Sequence, residues 1–280
     1  MNGAPRTEVI LTATPAVAGR QAAARGKRDW LRVALPCGVG ILLLVVWDVS
    51  VRISGSDLFP TPLDVAKAIV ELIEHGLLLK YMVASLFRVS WGFALATVVG
   101  VPSGLVLGWY GRAAQAFNPM IQVLRPISPI AWIPVAILWF GVSDAAPIFL
   151  IFLASVFPIT VSAMAAVQNM QPVYVRAAKN FGLSEWELFR QVILRACLPQ
   201  IITGLRIALG IAWLVVVAAE MIAVNSGLGF LIIDARNAGK RYDLVVAGML
   251  LIGLIGLGLD LLVRKLENFD EVRWGYANKS

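Results

Sequence analysis

The sequence predicts an all-α integral membrane protein with about six transmembrane helices and both termini on the cytoplasmic side. Three observations carry this expectation. Apolar residues make up 59% of the 280 residues and charged residues only 15%, against about 25% charged in a soluble domain. Several apolar runs approach the ~20 residues a helix needs to cross a bilayer, and no series of ~10-residue alternating segments suggests a membrane barrel. With the N-terminus inside, 17 of the 24 Lys and Arg fall on the inner side: six through Arg32, then Arg112 and Arg125, five from Arg176 to Arg206, and four from Arg264 onward. Outer segments carry Asp57, Asp64, Glu71, Glu74, Asp144, Asp234 and Asp243. That asymmetry accounts for the net charge of +7 as a positive-inside bias, with no nucleic-acid partner needed.

Residues 1–29 are rich in Ala, Arg and Thr and lack the order of a signal peptide, so they read as a disordered cytoplasmic tail. A membrane domain follows over residues 30–268, and residues 269–280 form a C-terminal cytoplasmic tail. Span 1 is expected from Leu31 to Val51. After the Pro60-Thr61-Pro62 turn, Val65, Ala68, Ile69, Leu72 and Ile73 recur at helical spacing, with Asp64, Lys67, Glu71 and Glu74 opposite. This helix either lies at the outer interface or packs on the bundle. Span 2, Val83 to Tyr110, spaces Gly100, Gly104 and Gly108 four apart, as a close-packing stripe does. Pro102 is expected to bend it.

A polar turn from Gly111 to Pro126 leads to span 3, which starts near Ile127 and contains Pro129, Pro134 and Gly141. A span so interrupted is expected to be short and broken. Broken membrane helices persist only where protein or a water-filled cavity covers the freed backbone groups. Ser128, Trp132 and Pro134 are therefore candidates for lining a path. Span 4 runs from Ala146 to Val167 through Pro158, span 5 from Ile201 to Ala223, and span 6 from Leu244 to Val263.

The segment between spans 4 and 5, residues 170–200, is too polar to cross, and its order is legible. A helix from Val173 to Phe181 ends with Gly182 at C′. Ser184 then caps a second helix, with Glu187 completing a capping box. Leu183 makes the corner. Trp186, Leu188, Phe189, Val192 and Ile193 make the second helix more apolar than a solvated loop would be.

This loop resembles the signature loop of permease subunits of binding-protein-dependent ABC importers, Glu-Ala-Ala, three residues, Gly, nine residues, Ile, any, Leu, Pro. Ala177, Ala178 and Gly182 match, with Val192 and Leu194 at the later apolar positions. Arg176 stands where the pattern has Glu and Arg195 where it has Pro; Leu198-Pro199 follows three residues beyond. Over residues 80–265, Ser128 to Pro134, Trp139-Phe140-Gly141, Thr203 to Arg206 and Ala218 to Met221 are similar to the nitrate, sulfonate, taurine and bicarbonate group of these permeases. The resemblance implies the type I ABC importer permease fold and a site in a bacterial inner membrane. It implies a second permease copy, two cytoplasmic ATP-binding subunits and an external substrate-binding protein as partners. Arg176, Ala177, Ala178, Gly182, Leu183, Glu185 and Trp186 would contact the ATPase, the small residues seating a short helix in its cleft. The solute would be a small anionic nutrient.

The chain has no Gly-x-x-x-x-Gly-Lys-Ser/Thr phosphate loop, so ATP and Mg are expected on the partner ATPase and no cofactor on this chain. With Cys37, Cys197 and His75 as the only residues of their types, neither a metal site nor His-based catalysis is expected. No catalytic pair marks an intramembrane enzyme. An ion-gradient-driven transporter is the alternative, but it would show paired broken helices in the two halves.

Asp48, Arg88, Arg206, Glu220 and Asp260 lie within or beside spans. Arg206 and Glu220, ~21 Å apart along one helix, must have separate partners. Glu220 could brace or gate the outer side, contact solute, or sit at the interface; an anion would be repelled by it. Asp48 and Arg88 could pair, and helical spacing brings Asp260 to Arg264. The hydroxyls of Ser155, Thr160 and Ser162 could hand on an oxyanion or bond their own backbone.

Overall fold

The computed structural model describes residues 15–55 and 59–266, and its regular elements there are all helical. The chain forms two compact units, residues 1–62 and 63–280. The first contains α1, Pro15–Ser54, whose apolar crossing stretch is Ala34–Ser54. Residues 15–29, expected as disordered tail, continue this helix; Ala16, Ala18 and Ala22 to Ala24 are strong helix formers. The remainder of that tail, residues 1–14, and the C-terminal tail lie outside the described residues. Leu35 and Ile41 to Val46 are exposed, as lipid-facing side chains would be. Asp48 pairs with Arg52 one turn on, at 2.7 Å, while Arg88 has its own carboxylates in the second unit, so the suggested Asp48–Arg88 pair is corrected.

The second unit opens with α2, Pro62–Glu74, which buries Val65, Ala68 and Leu72. Its Glu71 bonds Arg241 at 2.7 Å, and that guanidinium holds the carboxyl below the usual carboxylate range. Of the two expectations for this helix, the packed one describes it. Next comes α3, Leu77–Trp109, continuous through Pro102.

The expected polar turn after span 2 is instead a helix, α4, Gly111–Leu124. Ala113, Ala114 and Ile121 pack with Leu107 and Met164, and this apolar face outweighs the local turn signals. A 3-10 turn, Pro129–Trp132, leads into α5, Ile133–Phe140. The two halves of this span meet at 82°, and counting them as one gives six crossing segments among the described residues. Pro126 and Pro129 account for the break: neither donates an N–H, and each restricts the residue before it.

The bundle continues with α6, Ala145–Gln168, then α7, Pro172–Asn180, and a short turn α8, Glu185–Glu187. A π-helical turn, Leu188–Ile193, runs into α9, Leu194–Ala223. Then come α10, Leu228–Gly239, too short to cross, and α11, Tyr242–Leu266. The main contact is α3 on α6, where the glycine stripe lies. A Cβ at Gly104 would strike the Thr160 carbonyl and come within 2.6 Å of the Ala163 Cβ; one at Gly100 would lie 2.9 Å from the Ile159 side chain. Arg206 of α9 grips Asp260 of α11 with two bonds, 2.7 and 2.9 Å, and Arg264, one turn on in α11 as expected, adds its charge beside the same carboxylate.

The glycine stripe predicts a contrast between two single-methyl changes. Gly104→Ala should destabilise the detergent-solubilised protein by about 1–3 kcal/mol through overpacking. Gly210→Ala, with nothing within 4 Å of the added carbon, should leave the melting temperature unchanged or raise it.

Candidate functional site

Three features of the second unit hold the residues able to act. On the inner side is the α7–α8 corner, held by two local devices. The N–H of Leu183 donates to the Ala178 carbonyl at 3.2 Å and that of Gly182 to Lys179 at 3.0 Å, a Schellman closure with Gly182 at φ 76°. Ser184 and Glu187 then form a reciprocal capping box, the Ser184 N–H donating to Glu187 Oε2 at 2.9 Å. Both backbone groups at the bend are therefore satisfied, and the corner keeps its angle without a partner.

The corner has two faces. Ala178 is buried in the apolar cluster of Leu105, Ala163, Leu188 and Ile193, with half-buried Leu183 packed against it. Neither presents a small face to a partner cleft, which corrects the expectation for Ala178; the closeness that alanine permits serves the chain's own α3 and α6. Arg176, Ala177, Gly182 and Glu185 are exposed, and so are Phe181 at 84% and Trp186 at 69%. Trp186 stacks on Phe189 with centroids 6.1 Å apart. Lys179 and Glu185 meet at 3.5 Å, both well exposed, an ion pair of small value.

The second feature is a cavity of about 400 Å³ behind the broken span. Leu124, Arg125 and Trp132 line it from the break, Phe157, Pro158 and Ser162 from α6, and Ile207 and Ile211 from α9. Of the path candidates, Trp132 lines this cavity. Ser128 and Pro134 are exposed and outside its lining. Ser155 and Thr160 do not line it either. Thr160 donates to the Val156 carbonyl at 2.8 Å and lies 3.3 Å from Ser103, within the α3–α6 contact. Ser155 is fully buried and its hydroxyl has no hydrogen-bond partner among the described residues. Helix rotation explains Thr160: residues 154, 157, 158, 161 and 162 share the cavity face, and position 160 turns away. Ser155 stands two turns from Ser162 on nearly the same side and is covered by its neighbours.

The third feature is a buried ionic cluster near the outer ends of α3, α6 and α9. Arg88 Nη1 bonds Glu220 Oε1 at 2.7 Å, with side chains 2% and 0% exposed. Arg88 Nε and Nη2 reach Asp144 at 2.8 and 2.7 Å, and Ser226 accepts through its carbonyl and hydroxyl. All five guanidinium N–H groups are thus occupied. Glu220 Oε2 accepts from Ser85 at 2.8 Å and from the Gly229 N–H at 3.0 Å. It sits at the N-terminus of α10, where the helix dipole favours an anion. Side chains at Gly227 or Gly229 would collide with Glu220, so those glycines let the backbone close over it. No partner for Glu220 is evident from the sequence, where Arg88 is noted but matched with Asp48; Ser85 and Ser226 were missed. The Asn225-Ser226-Gly227-Leu228-Gly229 run was the available signal, two glycines beside a carboxylate with no local cation.

Residues 96–269 match the binding-protein-dependent transport system inner membrane component family. This chain belongs to that family. It is a multi-pass membrane permease subunit of an ABC importer, a transport component whose complexes include an ATPase and a substrate-binding protein. It is 36% identical to the taurine transport system permease protein TauC of Escherichia coli over 245 residues, covering 84% of this chain and 88% of that one. It is 34% identical to the nitrate import permease protein NrtB of Leptolyngbya laminosa, covering 83% and 86%. The permease shares its fold with a chain of the MetNI methionine ABC transporter in an inward-facing conformation, at TM-score 0.54 and 20% identity over 69% of this chain and 97% of that one.

The ionic cluster predicts an asymmetric mutational response. Glu220→Ala should cost roughly 3–5 kcal/mol, because it leaves Arg88 buried with one fewer carboxylate. The double change Arg88→Met with Glu220→Leu should recover much of that loss, as read by thermal unfolding in detergent. Equal damage from both would show that packing alone is at work.

Proposed function

We propose that this permease moves a small anionic nutrient inward by alternating access, as one of two identical copies in a bacterial cytoplasmic membrane. Two ATPase subunits on the inner side bind ATP and Mg, and an external binding protein delivers the solute; no cofactor is needed on this chain. The carrying observation is the pre-formed α7–α8 corner, whose exposed face joins Ala177, Phe181, Gly182 and Trp186. Large aromatics left exposed on a capped corner suit an interface core. The corner is connected rigidly to the bundle, because Ala178 and Leu188 pack on α3 and α6 while α8 runs through the π turn into α9. A force on Trp186 thus reaches Ile207 and Ile211 at the cavity along one helical element. The anionic character of the solute is supported by the taurine and nitrate permeases among its relatives.

Gly182→Asp tests the contact. Asp tolerates the left-handed conformation better than most residues, so the bend persists while a carboxylate enters the exposed face. The variant should reach the membrane at wild-type level and co-purify at least about tenfold less ATPase, a loss of ~1.4 kcal/mol or more. Undiminished co-purification would place the contact elsewhere, and uptake by the purified permease alone would favour a gradient-driven transporter.

A further inference from the structure

Three arginines of the described spans are held by carboxylates, whereas Arg125, like Arg112, Arg190 and Arg195, is not; of these four it is Arg125 that lines the cavity at the broken span. Arg88 faces Glu220 and Asp144, Arg206 faces Asp260, and Arg52 faces Asp48. The Arg125 guanidinium has no ion pair or hydrogen bond with any described residue. Its side chain is exposed, and the opposite lining of the same cavity is residues 153–162, the middle stretch of α6. Apart from Arg125 and Ser162, the cavity walls are apolar. A lone cation among low-dielectric walls focuses its field into the cavity instead of into a neighbouring carboxylate. Ser162 is held at that wall by the close approach of Gly204, where a Cβ would collide with it.

We infer that Arg125 is the anion-recognising group of a transit site in this cavity, taking a solute with one small oxyanion head, with the Ser162 hydroxyl as a second donor. The guanidinium fork matches a planar or tetrahedral oxyanion and carries a charge that does not titrate. The apolar remainder supplies no second cation, so the anion is held weakly enough to leave. Glu220, the carboxylate that would repel it, is sequestered with Arg88 and outside the cavity lining. Arg125 thereby sets the charge sign of the transported solute. This rests on the importer function proposed above. A lipid headgroup offers the same oxyanion chemistry to an exposed arginine, and the vesicle composition separates the two sources.

The test uses the complete complex of permease, ATPase and binding protein, reconstituted in phosphatidylcholine vesicles and in phosphatidylcholine–phosphatidylglycerol vesicles. Labelled nitrate and taurine serve as probes. Arg125→Gln should assemble with the ATPase in wild-type yield and lower uptake by roughly tenfold or more, as expected when a charged hydrogen-bond partner is lost. Arg125→Lys, keeping the charge without the fork, should recover part of the uptake, and the loss should be equal in both lipids. Unchanged uptake by Arg125→Gln, no recovery by Arg125→Lys, or a defect confined to phosphatidylglycerol vesicles would overturn the assignment of Arg125 alone. A wild-type complex that moves neither probe would overturn the anion-import function and this site with it.

Discussion

The outer half of the bundle depends on the Arg88–Glu220 ion pair. Two charges removed from solvent cannot be left unpaired inside a membrane protein without a large desolvation cost. Here they are 2.7 Å apart, and their remaining donors and acceptors engage Asp144, Ser226, Ser85 and Gly229. Ser85 belongs to α3, Asp144 caps the start of α6, Ser226 lies in the segment leading into α10 and Gly229 in its first turn, while Arg88 and Glu220 themselves stand on α3 and α9. One cluster therefore fixes the outer ends of three spans and the start of a helix that does not cross. Its geometry in turn demands glycine at 227 and 229, because the backbone must close directly over the carboxylate.

The inner side is constructed differently. Its corner is held by local caps, Schellman closure on one arm and a capping box on the other, and Phe181 and Trp186 are exposed on its outer face. In the proposed cycle the outer cluster acts as a pivot and the corner as the point where force enters. Between them lies the broken span, the place where backbone regularity is lost and a cavity opens. The α3–α6 pair, close-packed along Gly100 and Gly104, is suited to move as one body, since nearly every separation there is already at contact.

How much of this the sequence disclosed follows from the range of the interactions. The bend at Gly182 and the cap at Ser184 were legible because their partners lie within five residues. The break in span 3 was legible from proline chemistry. Helix α4 was not, since Gly111, Arg112 and Pro119 resemble a turn until the faces of Leu107 and Met164 are supplied by other helices. The pairs of Arg88 with Glu220 and Arg206 with Asp260 join residues 132 and 54 apart, and no local pattern records them. The facing of Ala178 toward its own bundle, and of Thr160 away from the cavity, depended on helix rotation that composition does not fix. The family pattern falls on this corner and leaves open which of its residues point outward.

The central claim is that work done by a separate ATPase drives solute through this bundle. Uptake of labelled solute into vesicles holding the complete complex, measured with ATP and with a non-hydrolysable analogue, tests it most directly. Accumulation against a gradient with ATP, and none with the analogue, is the predicted result. Accumulation of equal extent with the analogue, or by vesicles containing this chain alone, would contradict it.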